Sequence, residues 1–183
     1  MGSGVTFLGG GSFGTALAVM LAKKGIQVKI WDRKKDVIND INVKRENIKY
    51  LHGTVIPFGV EAFENMSDAI ADSDYIVLSV PSHAIREVCR QAEKFITNNQ
   101  VIVNIAKGIE EESEKRLSQV IKEELPKNPI VILSGPSHAE EVAQDIPTTV
   151  VVTSENMEYA EKVQDLFMTN KFRIYANRSE EHT

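Results

Sequence analysis

Short apolar runs alternate with stretches of helical periodicity along the whole chain. Each run is four to seven residues long, the usual length of a buried strand. We predict strands at residues 5–8, 26–31, 74–80, 101–104, 130–133, 148–152 and 172–175, and helices at residues 15–22, 34–42, 67–71 and 157–168. Pro81 and Ser82 end the third of these strands and open a further helix. Strands that are apolar on both faces and alternate with helices are typical of a parallel sheet covered on both sides. The pattern therefore predicts an α/β fold with a doubly wound, mostly parallel sheet.

A glycine-rich loop directly follows the first predicted strand. Residues 9–14 read GGGSFG, a G-x-G-x-x-G spacing that opens into the first predicted helix. We predict that Gly9 permits the turn, that Gly11 lets a pyrophosphate approach the backbone, and that Gly14 lets the helix pack on the strand. The N–H groups and the dipole of the new helix would then face the phosphates. This order of strand, turn and helix predicts a Rossmann-type dinucleotide-binding domain.

The second predicted strand ends in a carboxylate. Asp32 lies eighteen positions beyond Gly14, close to the roughly 20-residue spacing at which such sites hold the adenosine ribose. A carboxylate favours the free ribose of NAD, whereas the neighbouring Arg33 and Lys34 would attract the 2′-phosphate of NADP. These residues leave the cofactor open as NAD or NADP. A glycine-rich turn followed by an ordinary surface aspartate is the alternative interpretation.

Lys107 is the leading candidate for chemistry, because ligands of doubly wound sheets bind beyond the carboxyl ends of the strands. It lies three residues past the predicted strand at 101–104 and is followed by Gly108. A lysine there can donate to a carbonyl oxygen, stabilise the charge that develops as a hydride arrives, or bind a phosphate. A solvated surface lysine is the alternative.

A second glycine turn follows the strand predicted at 130–133. Gly135 permits a sharp turn, Pro136 suits the first position of a helix, and Ser137 carries a hydroxyl that can face a ligand. The turn suits a second anion, such as a substrate phosphate, or the carboxamide end of a cofactor. An ordinary capped helix would have a similar sequence.

Composition and charge narrow the classes of protein and partner. The 183 residues are 42% hydrophobic and 26% charged, as in a one-domain soluble protein, and no apolar run reaches the roughly 18 residues that span a bilayer. The formal net charge of −5 argues against nucleic acid as the main partner. The single Cys89 and the lack of a leader ahead of Val5 favour a cytoplasmic protein. The four histidines lack metal-ligand spacing, so we expect no metal site.

Six segments carry a resemblance to a known family. They are GGGSFGTALA from Gly9, WDR from Trp31, YLHG from Tyr50, SVPSH from Ser79, NIAKGIE from Asn104 and SGPSHAEEV from Ser134. In this order they closely resemble NAD(P)-dependent glycerol-3-phosphate dehydrogenase of the bacterial type, and the last two are much more specific than the glycine loop. The resemblance covers residues 5–175. It implies an oxidoreductase that transfers a hydride between the nicotinamide and dihydroxyacetone phosphate, making sn-glycerol 3-phosphate for phospholipid synthesis.

The resemblance also implies roles for individual residues. Lys107 corresponds to a lysine shared by the cofactor and substrate sites, and Gly135 and Ser137 correspond to substrate contacts. His52 stands where the family commonly has proline. With the glycine loop and Asp32 included, the expected cofactor-binding residues are Gly9, Gly11, Ser12, Phe13, Gly14, Asp32, Arg33, Lys34, Tyr50, Lys107 and Ala139.

The end of the chain departs from the family pattern. We expect residues 1–177 to form the dinucleotide-binding domain and residues 178–183 to be a tail unlike the family, without the second, all-helical domain of family members. That domain usually supplies the lysine assigned as general acid/base. We therefore expect the chain to bind cofactor but to reduce dihydroxyacetone phosphate slowly or not at all. An apolar edge near Tyr175, where the second domain would dock, could bring two chains together as a homodimer.

Two other function classes stay open. A cofactor-binding module without catalysis would share the glycine loop and Asp32. A methyltransferase could also carry a glycine loop and an acidic strand end, although Lys107 and the second glycine turn would have no obvious task in it. Other two-domain dehydrogenases of hydroxy acids or sugar acids fit the bare pattern, but the specific motifs favour the glycerol-3-phosphate enzymes.

Overall fold

A computed structural model describes residues 4–178 of the chain. The strands are β1 Val5–Leu8, β2 Val28–Trp31, β3 Val60–Phe63, β4 Tyr75–Leu78, β5 Val101–Asn104, β6 Ile130–Ser134, β7 Thr148–Thr153 and β8 Phe172–Asn177. The helices are α1 Ser12–Lys23, α2 Lys35–Asn39, α3 Met66–Ile70, α4 Ile85–Ala92, α5 Leu117–Glu124, α6 Ala139–Ala143 and α7 Met157–Phe167. Apart from Arg178, the tail predicted at residues 178–183 lies outside the described residues.

The described strands form one sheet in the order β3-β2-β1-β4-β5-β6-β7-β8. The first six strands of that order run parallel, β7 is antiparallel to β6, and β8 runs parallel to β7. This confirms the doubly wound, mostly parallel sheet. The strand order reverses between β1 and β4, and in sheets of this kind ligands bind in the crevice that opens at such a point.

Hydrophobic cores lie on both faces of the sheet, because successive residues of a strand point to opposite sides. In β1, Phe7 belongs to the core that contains α1 and α7, and Leu8 belongs to the core that contains α4 and α5. Helix α1 is buried from Gly14 to Leu21 because it packs against both the sheet and α6. A helix fixed on so many sides holds its N-terminus rigidly at the crevice.

The sequence pattern predicts most of the strands but not all of the elements. It places β1 and β5 at their observed bounds and overextends β2 and β4 by two to three residues. The helix expected at 34–42 ends earlier, and the chain continues as a π-helical turn, Asp40–Lys44. Strand β3 and helix α5 are not predicted. β3 is short and lies at the edge of the sheet with Glu61 exposed, so it lacks the continuous apolar run of a central strand.

Candidate functional site

A cavity of about 320 Å³ lies at the crevice between β1 and β4. Segments that follow β1, β2 and β4 form its wall together with one face of α4. Its lining residues are Gly9, Gly10, Gly11, Trp31, Asp32, Arg33, Lys34, Tyr50, Ser79, Val80, Pro81, His83, Ala84 and Val88. Six of the eleven residues expected to bind the cofactor therefore meet in one place.

The three motif glycines of the loop after β1 have different surroundings. Gly9 has a φ of +117°, and a Cβ there would lie 2.8 Å from Val80 Cγ1. A Cβ at Gly14 would lie 2.8 Å from the Cβ of Ser79. At Gly11 the nearest atom would be the Ser79 carbonyl oxygen, 3.5 Å away. Gly9 and Gly14 are therefore required by packing, whereas Gly11 leaves space at the cavity wall.

The first turn of α1 offers hydrogen-bond donors beside this space. Gly11 occupies the N-cap position in an extended conformation, and no side chain among the described residues caps it. A capping side chain normally satisfies one or two of these N–H groups. Uncapped N–H groups and the positive end of a twelve-residue helix suit a bound phosphate.

Asp32 connects the end of β2 to the glycine loop. One carboxylate oxygen accepts a hydrogen bond from the Gly10 N–H at 2.8 Å, and the other accepts from the Lys34 N–H at 2.9 Å. Each carboxylate oxygen can accept a further hydrogen bond. Asp32 can therefore hold the loop in place and still accept from a ribose hydroxyl.

Two cations flank Asp32 at the mouth of the cavity. The Arg33 guanidinium lies 5.6 Å from the centre of the Trp31 ring and donates to Gln91. The Lys34 ammonium lies 4.9 Å from the centre of the Tyr50 ring and donates a short hydrogen bond to its hydroxyl. That hydrogen bond raises the pKa of Lys34 above its usual value. The Lys34 ammonium therefore remains charged at neutral pH beside the carboxylate.

Asn47 is a functional candidate that sequence reasoning missed. It is 1% exposed, and its Nδ2 donates to the Gly10 carbonyl at 2.8 Å and to Thr15 Oγ1 at 2.9 Å. Its Oδ1 is buried without a hydrogen-bond partner among the described residues. The residue lies in the irregular stretch before β3, where nothing in the local pattern distinguishes it from a surface asparagine.

Lys107 and Ser137 come together at the ends of β5 and β6. The Lys107 ammonium donates to the Ser137 carbonyl at 3.3 Å. Gly108 next to it has a φ of +97°, a backbone conformation that favours glycine, and a Cβ there would lie 3.9 Å from Ser82 Oγ. The Asn104 side chain bonds both the N–H and the carbonyl of Ala106, so it closes the turn that leads to Lys107.

The second glycine turn differs from its sequence-based interpretation. The expectation that Pro136 begins a helix is wrong, because the Ser137 N–H donates to the Gly135 carbonyl in a tight turn and α6 starts only at Ala139. A Cβ at Gly135 would lie 3.0 Å from the Val150 Cα, so this glycine is required by packing against β7. The expected residues outside the wall of the 320 Å³ cavity are Ser12, Phe13, Gly14, Lys107, Gly135, Ser137 and Ala139.

Within residues 4–178, no group of three or more His, Cys, Asp or Glu side chains is placed to hold a metal ion. No helix in the same range is long and apolar enough to cross a membrane.

Comparisons with known proteins place the chain among dehydrogenases. Residues 4–160 match the family model described as NAD-dependent glycerol-3-phosphate dehydrogenase N-terminus. Glycerol-3-phosphate dehydrogenase [NAD(P)+] of Clostridium tetani is 65% identical over 95% of this chain and 50% of its own length. The corresponding Clostridium acetobutylicum protein is 64% identical over 95% of this chain and 52% of its own length. The chain thus spans about half the length of the curated relatives it matches.

Solved structures agree with this assignment. The crystal structure of glycerol-3-phosphate dehydrogenase from Coxiella burnetii superimposes with a TM-score of 0.93 at 31% identity, covering 98% of this chain and 55% of that chain. A pyrroline-5-carboxylate reductase from the same organism has a TM-score of 0.74 at 17% identity, covering 98% of this chain and 60% of that one. The second similarity shows a shared fold only.

Proposed function

We propose that this chain, which belongs to the NAD-dependent glycerol-3-phosphate dehydrogenase family, binds NAD or NADP at the β1–β4 crevice for the interconversion of dihydroxyacetone phosphate and sn-glycerol 3-phosphate. One observation carries the cofactor assignment. The uncapped first turn of α1 opens onto space at Gly11, while Gly9 and Gly14 pack tightly on either side. This arrangement fits a pyrophosphate.

The residues around the cavity would hold the two ends of the adenosine half. Asp32 would accept from a ribose hydroxyl, and Arg33 and Lys34 would pair with a 2′-phosphate if one were present. Because the carboxylate and the two cations lie together, we propose that both NAD and NADP are accepted.

Lys107 and Ser137 would form the substrate end of the site. When bound, the reduced nicotinamide supplies the hydride. The Lys107 ammonium would donate a hydrogen bond to the ketone oxygen, which gains negative charge as the hydride reaches the carbonyl carbon. The Ser137 hydroxyl and the backbone at Gly135 would help to orient the substrate, and the resulting glycerol 3-phosphate would serve phospholipid synthesis in the cytoplasm.

Calorimetric titration with NADH and NADPH, followed by addition of dihydroxyacetone phosphate, tests this proposal. We expect saturable binding of either cofactor by the chain. Substrate-dependent loss of NADH absorbance would show that this chain alone carries out the reaction, whereas binding without turnover is the result that we expect of a chain that spans half of its relatives' length. A chain that binds neither cofactor but is stabilised by S-adenosylmethionine would contradict the proposal and favour a methyltransferase.

A further inference from the structure

Arg86, in the first turn of α4, lies at the centre of an ion-pair cluster that joins α4 to α5 and to the loop after β5. Its Nε and Nη2 each donate to one carboxylate oxygen of Glu110 at 2.7 Å, which is a two-point contact. Its Nη1 donates to Glu123 at 2.8 Å and to Glu124 at 2.6 Å, both in the last turn of α5. The side chains of Arg86 and Glu110 are 22% and 13% exposed.

Glu110 belongs to the loop between β5 and α5, which carries Lys107. Within this loop the Glu110 N–H donates to the Lys115 carbonyl, and Ser113 Oγ donates to the Glu110 carboxylate. Ile109 and Arg116 form an isolated antiparallel bridge. The loop is therefore closed on itself around Glu110, so an anchor at Glu110 fixes the whole loop.

The distance along the chain from this anchor to Lys107 is short. Lys107 lies three residues before Glu110, and Gly108 is the only residue between them with a positive φ. On the other side, the Lys107 ammonium reaches the Ser137 carbonyl beyond β6. One end of this segment is therefore fixed through Arg86 to α4, and the other contacts the turn after β6.

We propose that Arg86 and Glu110 are positioning residues, whose ion pair fixes the β5–α5 loop and thereby places the Lys107 ammonium at the nicotinamide and substrate end of the site. This inference rests on the proposed function, which gives Lys107 its role. Neither Arg86 nor Glu110 lines the dinucleotide cavity, so both act through Lys107 rather than by contact with the adenosine half.

The pair is suited to a permanent anchor. The hydrogen bonds from Arg86 and Ser113 lower the pKa of Glu110 to about 2. The hydrogen bonds from Arg86 to Glu110, Glu124 and Glu123 raise the pKa of Arg86. Both partners therefore stay charged throughout the neutral range. Exposed single ion pairs contribute little to stability, but a two-point guanidinium–carboxylate contact within a network restricts geometry.

The test compares Glu110→Gln with Glu124→Gln, a matched control in the same cluster whose carboxylate, on α5, accepts from Arg86 and Arg90 of α4 rather than from the loop. Each variant is titrated with NADH and with ADP-ribose, which lacks the nicotinamide. We expect Glu110→Gln to raise the Kd for NADH about fivefold and to leave the Kd for ADP-ribose unchanged. Hydrogen exchange in residues 105–116, relative to α7, should become about tenfold faster. Glu124→Gln should change neither quantity.

A double-mutant cycle with Lys107→Met decides whether Glu110 acts through Lys107. If it does, Glu110→Gln has no further effect on NADH affinity once Lys107 is replaced. Equal loss of affinity for both ligands, full additivity with Lys107→Met, or an unchanged NADH Kd would overturn the inference. If Glu110→Gln does not fold, Arg86→Lys replaces it in the same comparison. If the wild-type chain binds neither NADH nor ADP-ribose, the proposed function is refuted. The role of Glu110 as an anchor is then tested by hydrogen exchange alone, and unchanged exchange of residues 105–116 in Glu110→Gln would refute it.

Discussion

At the scale of single residues, the glycines of one motif are needed for different physical reasons. A Cβ at Gly14 would lie 2.8 Å from the Cβ of Ser79, so Gly14→Ala should lower the free energy of unfolding by about 1–3 kcal/mol.

Gly11→Ala should affect stability less and cofactor binding more. The atom nearest to a Cβ at Gly11 would be 3.5 Å away, so this substitution should lower the free energy of unfolding by less than about 1 kcal/mol. Its methyl group would nevertheless occupy the space for the pyrophosphate, and NADH affinity should fall at least about tenfold. Urea denaturation and NADH fluorescence titration measure the two effects, and wild-type NADH affinity in Gly11→Ala would contradict the assignment.

Asp32 should control the choice between NAD and NADP. In Asp32→Asn the negative charge that opposes a 2′-phosphate is gone, while Arg33 and Lys34 remain beside it. We expect the ratio of NADPH to NADH affinity to rise about tenfold. Asp36→Asn, which removes an exposed carboxylate four residues away, serves as the control and should leave the ratio unchanged. Parallel titrations with NADH and NADPH measure the ratio. An equal rise of this ratio in Asp32→Asn and Asp36→Asn would contradict a specific role of Asp32 in choosing the cofactor.

Sequence reasoning finds those residues whose role follows from local pattern. Gly9, Gly14 and Asp32 are predictable because a strand–turn–helix unit fixes their positions relative to one another. Asn47 and Arg86 are not, because their partners lie 37 and 24 residues away along the chain. A polar side chain in an irregular stretch or on a helix carries no local sign of such a contact.

At the scale of elements, Lys24 joins α1 to the C-terminal end of α7. Its ammonium donates to the carbonyls of Leu166 at 2.6 Å, Met168 at 2.9 Å and Asp165 at 3.2 Å. Carbonyls at a helix end lack intrahelical partners, and a cation there is favourable. Lys24→Met should therefore lower the free energy of unfolding by about 1 kcal/mol. The neighbouring Lys23, in an exposed pair with Asp145, is the control, and Lys23→Met should cost less than about 0.5 kcal/mol. Urea denaturation measures both losses. An equal loss of unfolding free energy in Lys24→Met and Lys23→Met would show that the hydrogen bonds of Lys24 to the end of α7 do not stabilise the fold.

The ion pair between Arg86 of α4 and Glu110 of the β5–α5 loop should weaken only at acidic pH. Glu110 has a folded-state pKa of about 2, below its ordinary value of 4.5. A lowered carboxyl pKa stabilises the fold above pH 4.5, and this stabilisation is lost as the pH falls from 4.5 towards 2. Glu110→Gln should therefore be less stable than wild type at neutral pH, and the difference should shrink as the pH falls through that range. Urea denaturation across this range measures the difference, and a constant difference would contradict the shifted pKa.

Elements are predictable from sequence where burial is uniform. β1 and β5 are buried at every position and have the bounds that the apolar runs predict. β3 is not predicted because its pairing with β2 is set by tertiary contacts, among them the Asn42 side chain, which bonds both the N–H and the carbonyl of Ala62. α5 is not predicted because it follows a strongly charged loop, which is held in place by contacts with another element, such as the ion pair of Glu110 with Arg86 of α4.

At the scale of the whole molecule, the sheet brings functional segments from distant parts of the chain to one edge. The carboxyl ends of β1, β2 and β4 form the wall of the dinucleotide cavity, and the ends of β5 and β6 place Lys107 beside Ser137. This arrangement follows from the parallel strand order and is predictable from the alternation of strands and helices. The homodimer near Tyr175, which is 64% exposed, stays a prediction.

Hydrogen exchange of the whole chain with and without NADH tests the central claim most directly, because it reports both whether the dinucleotide binds and where. We expect NADH to slow exchange in residues 9–15, 32–34 and 79–84, which surround the cavity. Exchange should stay unchanged in a second groove, the α5–α7 groove, which is lined by Gln119 of α5, Pro129 before β6 and Tyr159 of α7. Unchanged exchange at saturating NADH, or slowing confined to the α5–α7 groove, would contradict the placement of the cofactor at the β1–β4 crevice.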